Sequence, residues 1–254
     1  HMTSFQVIII SFFCLILVGT LLLMLPISSR QRCVTSFPDA MFTAVSATCV
    51  TGLVVKDTAT YWSLFGQAVI LMLIQIGGMG VITVGLAIIG ASGRKIGLWQ
   101  RSTMQESISA PQVGGIVKLT GFILKTSLII EMIGAALLAP VFCNDLGIAK
   151  GLWYSLFHSI SAFCNAGFDL FGIKEPFSSL TFYHSNIYLN IIIILLIITG
   201  GIGFLVWGDI GTHKHRISRF SLQSKVVLMT SAVLIVLPAL YFFFFEYDHE
   251  TIHD

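Results

Sequence analysis

Long apolar stretches dominate the chain, and five of them approach or exceed the roughly 20 residues that a helix needs to cross a bilayer core. Runs of this length predict transmembrane helices. The first is too long for the apolar segment of a signal peptide and is followed by no small-residue cleavage site, so we expect a retained helix. The predicted spans are Phe5–Leu25, Leu64–Ile89, Leu119–Phe142, Ile187–Trp207 and Val226–Phe245.

The composition agrees with a membrane protein. Of the 254 residues, 56% are hydrophobic and only 10% are charged, whereas soluble domains carry about 25% charged residues. This excludes a soluble enzyme. The net charge of +2 arises from 14 Lys and Arg against 12 Asp and Glu, which is too balanced for a nucleic-acid surface.

The distribution of Lys and Arg predicts the orientation, because positively charged loops stay in the cytoplasm. Eight of these residues lie between spans two and three or between spans four and five, against five on the other side. We therefore expect a cytoplasmic N-terminus. The eight are Arg94, Lys95, Arg101, Lys118, Lys214, Arg216, Arg219 and Lys225.

Two further stretches, Pro38–Thr48 and Ala149–Phe163, are too short and too polar to cross the membrane but too apolar for ordinary loops. Each lies between two predicted spans on the outer side. Segments of this kind are typical of re-entrant half-helices, which dip into the membrane and return.

The two half-helices belong to an internal repeat. An offset of 115 residues superimposes identical residues around both of them, and an offset of 123 residues superimposes Gly77, Gly78 and Gly80 on Gly200, Gly201 and Gly203. The repeating unit is helix, half-helix, helix. The pairs at the first offset include Phe42/Phe157, Ser46/Ser161, Ala47/Ala162, Cys49/Cys164 and Gly52/Gly167.

The predicted fold is therefore an all-α membrane protein built from repeated helix, re-entrant pore loop and helix units, as in potassium channels. It has five transmembrane helices and two half-helices. Residues 5–92 form the first repeat, residues 113–208 the second, and residues 221–245 the first helix of an incomplete third.

This duplication indicates a path for a cation. The carbonyl end of each half-helix carries partial negative charge, and the backbone carbonyls that follow can replace a cation's hydration shell. Gly52 and Gly167 supply the positive φ that turns such carbonyls inward. Asp57 and Asp169 follow, where they could raise the cation concentration at the outer mouth or be plain surface acids.

Residues 46–53 (SATCVTGL), 64–80 and 157–168 (FHSISAFCNAGF) resemble the potassium-translocating subunits of the bacterial Trk and Ktr uptake systems. The Ktr branch is closer, since the first helix starts near residue 5 without an extra N-terminal pair. The resemblance implies a pore of four such units around one axis. It assigns Val50, Thr51, Gly52 and Leu53 to the filter in the first unit, and Asn165, Ala166, Gly167 and Phe168 in the second.

The resemblance also implies the physiology. The expected function is potassium uptake across the bacterial plasma membrane, driven by the membrane potential, with sodium coupling as in some relatives and without a cofactor in this subunit. The expected partners are membrane lipid, a second copy in a homodimer, and a cytosolic ring of nucleotide-binding regulatory subunits. Nucleic acid is not an expected partner.

The sequence departs from the four-unit pattern that the resemblance implies, because the third unit stops after its first helix and the fourth is missing. Either the chain is the front portion of a longer one, which the orphan fifth span favours, or further copies complete the ring. The alternative function is a non-conducting fragment or assembly subunit that binds full-length relatives. An enzyme is not expected, since phosphate-binding and zinc-helix motifs are absent from the sequence.

Several residues keep a structural interpretation. Lys125 is expected to extend to the interface, and Glu131 to be hydrogen-bonded within the bundle. His158 is expected to be neutral and packed. The glycines at 77, 78 and 80 allow close packing or a bend, of which packing is the more frequent. Cys33 and Cys143 could form a disulfide only if the fold brings them together.

Overall fold

The computed structural model describes residues 3–80, 84–85, 97–107, 116–173, 175–213 and 217–245. Within these ranges the regular structure is helical, apart from an isolated bridge between Ser29 and Trp62 and short 3-10 turns. The predicted all-α class is confirmed. The helices are α1 Ser4–Met24, α2 Phe37–Thr48, α3 Leu64–Met79, α4 Leu98–Ser107, α5 Ile116–Leu146, α6 Ile148–Phe163, α7 Ile187–Gly201, α8 Phe204–His213 and α9 Leu222–Phe245.

Three of these helices, α1, α5 and α9, are long and apolar enough to cross a membrane, and α7 with α8 would count as a fourth, broken span. The expectation of one unbroken helix over Ile187–Trp207 is wrong, because α7 ends at Gly201. Gly203 adopts φ +88° between α7 and α8, a conformation that glycine takes cheaply and that a helix does not contain.

The helix that begins the second predicted span, Leu64–Ile89, ends before Ile89 for the same reason. Helix α3 stops at Met79, and Gly80 follows at φ +84°. Most of the remainder of that span lies outside the described residues. The repeat boundaries at 92 and 113 also lie outside them, so those boundaries stay predictions.

The two half-helices match the predicted bounds closely, and neither is among the described helices that are long and apolar enough to cross a membrane. Helix α2 has 12 residues and α6 has 16, and both end at the predicted residues, Thr48 and Phe163. Ser36 caps α2 by accepting a hydrogen bond from the Asp39 N–H at 3.4 Å, with a proline in the first turn. This local chemistry explains why the chain turns back into a helix directly after an extended segment.

The chain divides into two compact units, one up to Gly201 and one from Ile202. In the first unit, α1, α2 and α3 pack on one another, α5, α6 and α7 do the same, and α3 contacts α6. The core includes the fully buried Trp62, Phe142 and Phe157. Because lipid tails are as apolar as these side chains, close packing and hydrogen bonds, rather than the hydrophobic effect, hold such helices together.

The glycines repeated near the ends of α3 and α7 serve both of the expected purposes. A Cβ on Gly77 would overlap the carbonyl oxygen of Thr48, the last residue of α2, and a Cβ on Gly200 would overlap that of Phe163, the last residue of α6. Each half-helix therefore ends directly against a glycine of the helix that follows it. Three residues further on, Gly80 and Gly203 have positive φ, so packing and termination fall to different glycines.

In the second unit a carboxylate joins α8 to the start of α9. Asp209 accepts hydrogen bonds from the Ser221 N–H at 3.0 Å and from the Ser221 and Ser224 hydroxyls at 2.6 and 2.5 Å. Ser221 also caps α9 by accepting from the Ser224 N–H at 3.2 Å. The large apolar side chains of α9 are exposed along its length, as suits contact with lipid or with further helices.

Candidate functional site

Two glycine-containing loops with the same backbone follow the half-helices. The first glycine loop (residues 49–57) follows α2, and the second glycine loop (residues 164–172) follows α6. Val50 and Asn165 both have φ +58°, and Gly52 and Gly167 have φ +74° and +71°. A positive φ is rare for residues other than glycine, so its recurrence at Val50 and Asn165 marks a conformation that the surroundings impose.

Matched hydrogen bonds hold each loop to its half-helix. The Thr51 N–H donates to the Ser46 carbonyl at 3.0 Å, and the Ala166 N–H donates to the Ser161 carbonyl at 2.7 Å. The Ser46 hydroxyl donates to the Leu53 carbonyl at 2.7 Å. The second loop has the matching hydrogen bond from a serine hydroxyl of its half-helix to a loop carbonyl. The repeat therefore extends from sequence to hydrogen-bond geometry.

The Ser161 hydroxyl donates to the Phe168 carbonyl at 2.6 Å. The carbonyls of Leu53 and Phe168 thus each have a partner inside their own repeat. The side chains of these two predicted filter residues differ, since Leu53 is 61% exposed and Phe168 is 2% exposed.

The two loops meet at their glycines. A Cβ on Gly52 would lie 3.3 Å from the Gly167 Cα and 2.7 Å from the Ala166 carbonyl oxygen, and a Cβ on Gly167 would lie 3.4 Å from the Gly52 Cα. Backbones this close leave no room for a side chain at Gly52, while a Cβ at Gly167 would be in ordinary contact with the other strand. The structure thus brings together the two glycines that the sequence singled out, although they are 115 residues apart.

A cavity of about 210 Å³ lies beside the second loop. Its lining includes Asn165, Gly167 and Asp169 from the loop, with His158 and Ser161 from α6. Asn165 and Gly167 are exposed, whereas Ala166 between them is fully buried. The second loop therefore presents alternate residues to an open, partly polar space.

His158 ties the second loop to α6. Its Nδ1 lies 2.7 Å from the Tyr154 carbonyl oxygen, and its Nε2 accepts a hydrogen bond from the Leu170 N–H at 3.2 Å. A ring that donates at Nδ1 and accepts at Nε2 is neutral. The histidine is 3% exposed. It is the packed, neutral imidazole that the sequence suggested, with a positioning contact that the sequence did not reveal.

The two predicted outer-mouth acids differ in their surroundings. Asp169 is partly buried and accepts a hydrogen bond from the Phe171 N–H at 2.9 Å. Burial foremost, and the charge of Asp57 in addition, raise the pKa of Asp169, while the hydrogen bond from Phe171 lowers it in part. Asp57 is only 8% exposed. A steering role for either acid stays a prediction.

The two charged residues within the predicted third span, Lys125 and Glu131, differ in burial, and the extension of Lys125 to the interface stays a prediction. Glu131 is 1% exposed, and each of its carboxylate oxygens lies 3.0 Å from Nε2 of Gln75 in α3. The expected hydrogen bond within the bundle is confirmed. Lys125 is exposed. Cys33 and Cys143 both carry free thiols, so they form no disulfide in this structure.

Comparison with known proteins identifies the family. Residues 1–248 match the TrkH family, described as cation transport protein. The chain is 43% identical over 244 residues to the Ktr system potassium uptake protein B of Bacillus subtilis, an alignment that covers 96% of this chain and 53% of that protein. It is 42% identical over 236 residues to the potassium/sodium uptake protein NtpJ of Enterococcus hirae, covering 93% of this chain and 51% of that protein.

A third relative, the Ktr system potassium uptake protein D of Bacillus subtilis, is 34% identical over 248 residues, covering 96% of this chain and 54% of that protein. The chain spans about half the length of the curated relatives it matches. The resemblance seen in the glycine motifs is confirmed, the Ktr branch included. The chain belongs to the TrkH family of cation transport proteins and is a multi-pass membrane protein rather than an enzyme.

Proposed function

We propose that the chain takes part in potassium uptake and contributes two strands of a backbone-carbonyl selectivity filter, residues 50–53 and 165–168. The observation that carries the proposal is the direct contact between the Gly52 and Gly167 backbones, which lie in two loops of matching conformation that follow the half-helices. Carbonyls held this way can replace the water around a dehydrated potassium ion.

The membrane potential is sufficient to drive the uptake. Each elementary charge that moves inward gains about 2.3 kcal/mol per 100 mV, so accumulation requires no nucleotide hydrolysis in this chain. The names of the relatives support potassium as the transported ion, with sodium as a second one. The plasma membrane of a bacterium, with the N-terminus in the cytoplasm, is the proposed location.

Two strands do not close a ring around an ion. The proposed assembly therefore includes further filter-bearing repeats. A homodimer and a cytosolic ring of nucleotide-binding regulatory subunits are also part of the proposal. The rival proposal is a non-conducting assembly subunit that binds longer relatives. The two differ in whether the glycine loops of this chain touch the permeating ion.

Replacing Gly52 or Gly167 by serine tests the filter. We expect a lower preference for potassium over sodium, because a side chain at either glycine is strained at positive φ, and a Cβ at Gly52 would in addition push against the Ala166 carbonyl of the other strand. The measurement is the uptake of both ions by cells that lack their own potassium uptake systems and express the assembled transporter.

Gly147 provides the matched control. It has φ +80°, close to the φ of Gly52, but a Cβ there would meet nothing within 4 Å. Gly147→Ser places a side chain at positive φ, so it should lower stability by about 1–3 kcal/mol and leave ion preference unchanged. Unchanged preference in both Gly52→Ser and Gly167→Ser would remove these loops from the filter and favour the assembly subunit.

A further inference from the structure

We propose that Asp57 is a positioning residue for ion selectivity, which fixes the second glycine loop against the first through its buried carboxylate. The inference rests on the proposed function, since it concerns the same two loops. It assigns Asp57 a role in geometry, in place of attraction of cations at the outer mouth.

The carboxylate of Asp57 bridges the two repeats. Its Oδ1 accepts hydrogen bonds from the N–H and the hydroxyl of Thr60, both at 2.8 Å, which fix the side chain within its own repeat. Its Oδ2 accepts from the N–H of Phe177 at 2.9 Å, a residue 120 positions away in the second repeat. Both oxygens are thus occupied, one on each side of the repeat boundary.

The second repeat makes room for this carboxylate with a glycine. A Cβ on Gly172 would overlap the carboxylate oxygens and carbon of Asp57. Gly172 lies 115 residues after Asp57 and is therefore its counterpart in the repeat. Because Gly172 has no side chain, the carboxylate of Asp57 can pack directly against its backbone.

A second tie holds the same region. The Gln67 amide nitrogen donates to the Thr58 carbonyl at 3.2 Å and to the Trp62 carbonyl at 3.3 Å. Its amide oxygen accepts from the indole N–H of Trp153 in α6 at 2.9 Å. The residue next to Asp57 is thus anchored to the half-helix of the other repeat. Two contacts thus attach the first repeat to the second here, one through Asp57 and one through Gln67, and removal of the Asp57 carboxylate would leave the Gln67 contact.

The electrostatic alternative has less support from the contacts. Asp57 is 8% exposed, and its oxygens point to donors of the protein. The neighbouring Lys56 pairs with Asp39 at 3.5 Å, where both side chains are about one third exposed. An acid that attracts ions from solution would resemble Asp39 more than Asp57.

Three variants separate geometry from charge. Asp57→Glu keeps the charge, but its extra methylene has no room against Gly172. Asp57→Asn removes the charge and puts an amide nitrogen, a donor, where one carboxylate oxygen accepts. Gly172→Ala keeps Asp57 itself and displaces its carboxylate. Asp39→Glu and Asp39→Asn are the matched controls on an acid that is not buried.

The measurement is the ratio of potassium to sodium uptake by the assembled transporter, because this ratio does not depend on how much protein reaches the membrane. We expect Asp57→Glu, Asp57→Asn and Gly172→Ala each to lower the ratio about three- to tenfold, the size of effect that the loss of one ordinary hydrogen bond produces. The Asp39 variants should leave it unchanged. In an Asp57→Ala background, Gly172→Ala should add little, since the overlap is gone.

A normal ratio in Asp57→Glu, with salt-dependent uptake lost only in Asp57→Asn, would establish steering and overturn the proposal. Should Asp57→Glu fail to reach the membrane, Thr60→Val removes one donor to the carboxylate and leaves the charge in place, and an unchanged ratio there would also overturn it. If Gly52→Ser and Gly167→Ser shift the ratio while the Asp57 and Gly172 variants do not, the filter stands without this tie. If none of them shifts it, the filter proposal itself fails.

Discussion

Gly200 lies where α7 meets the carbonyl end of α6, and alanine at this position tests how closely the two helices must approach. The added Cβ would overlap the Phe163 carbonyl oxygen and lie 2.7 Å from its carbonyl carbon. Ordinary contacts of a Cβ begin at 3.4 Å, so the two backbones must separate by at least about 0.7 Å. Both partners are backbone, so no side chain can rotate away.

Two opposing effects determine how far Gly200→Ala changes the free energy of unfolding. Alanine improves helix propensity over glycine by about 1 kcal/mol. Overpacking a well-packed site costs about 1–3 kcal/mol, and overlap with a rigid carbonyl belongs at the upper end of that range. We therefore expect Gly200→Ala to lower the free energy of unfolding by about 2 kcal/mol, which is roughly a thirtyfold change in the equilibrium constant.

The neighbouring glycine is the control. A Cβ on Gly201 would meet only the Asn165 amide nitrogen, at an ordinary 3.6 Å, so Gly201→Ala should be neutral or slightly stabilising. The assay is reversible unfolding of the purified protein in mixed micelles, followed by circular dichroism. Equal stability of Gly200→Ala and Gly201→Ala would refute the close approach of α7 to the end of α6.

Two further outcomes are expected in the second repeat. Ser161→Ala removes the hydroxyl that donates to the Phe168 carbonyl and should lower the preference for potassium over sodium. The control is Ser155→Ala, because the Ser155 hydroxyl donates to the Gly151 carbonyl within its own helix, and it should leave this preference unchanged. Equal effects of the two variants would contradict a role of Ser161 in holding the loop. Because burial raises the pKa of Asp169 in the folded protein, its contribution to stability is complete below the ordinary carboxyl pKa and is lost as pH rises through the raised value. Asp169→Asn should therefore flatten the decline of melting temperature as the pH rises above the ordinary carboxyl pKa, and identical slopes in both proteins would exclude this titration.

The half-helices were predictable because two independent signals agree on them. Their length and polarity exclude a span, and the offset of 115 residues places Thr48 and Phe163 at equivalent ends. The glycines at 52 and 167 were predictable from the same offset. A single copy of the unit would have left each of them an ordinary turn glycine.

The break between α7 and α8 was not predictable from hydropathy. The segment from Ile187 to Trp207 contains no charged residue and is mostly apolar, and such a composition is the same in a straight helix and a broken one. The signal lay in the glycines at 200, 201 and 203, of which the first serves packing and the last termination. Spacing alone does not tell these uses apart.

The contact between Asp57 and the second repeat could not be predicted from the sequence, because it depends on a backbone N–H and on the space left by a glycine. Phe177 offers its amide, which carries no sequence signature. Gly172 offers only space. The repeat offset contained a clue, since it places Asp57 opposite a glycine, but an acid aligned with a glycine is not evidence of contact until the fold is known.

The Glu131–Gln75 pair has a consequence for how a duplicated chain assembles. Helices α1 and α5 are related copies, and Ile16 stands in α1 where Glu131 stands in α5. If the copies exchanged places, Gln75 would meet an alkyl chain, and Glu131 would lie at the half-buried position of Ile16 without its hydrogen-bond partner, at a cost of about 1–3 kcal/mol. A single polar contact thus distinguishes two related helices and favours α5 over α1 as the partner of Gln75.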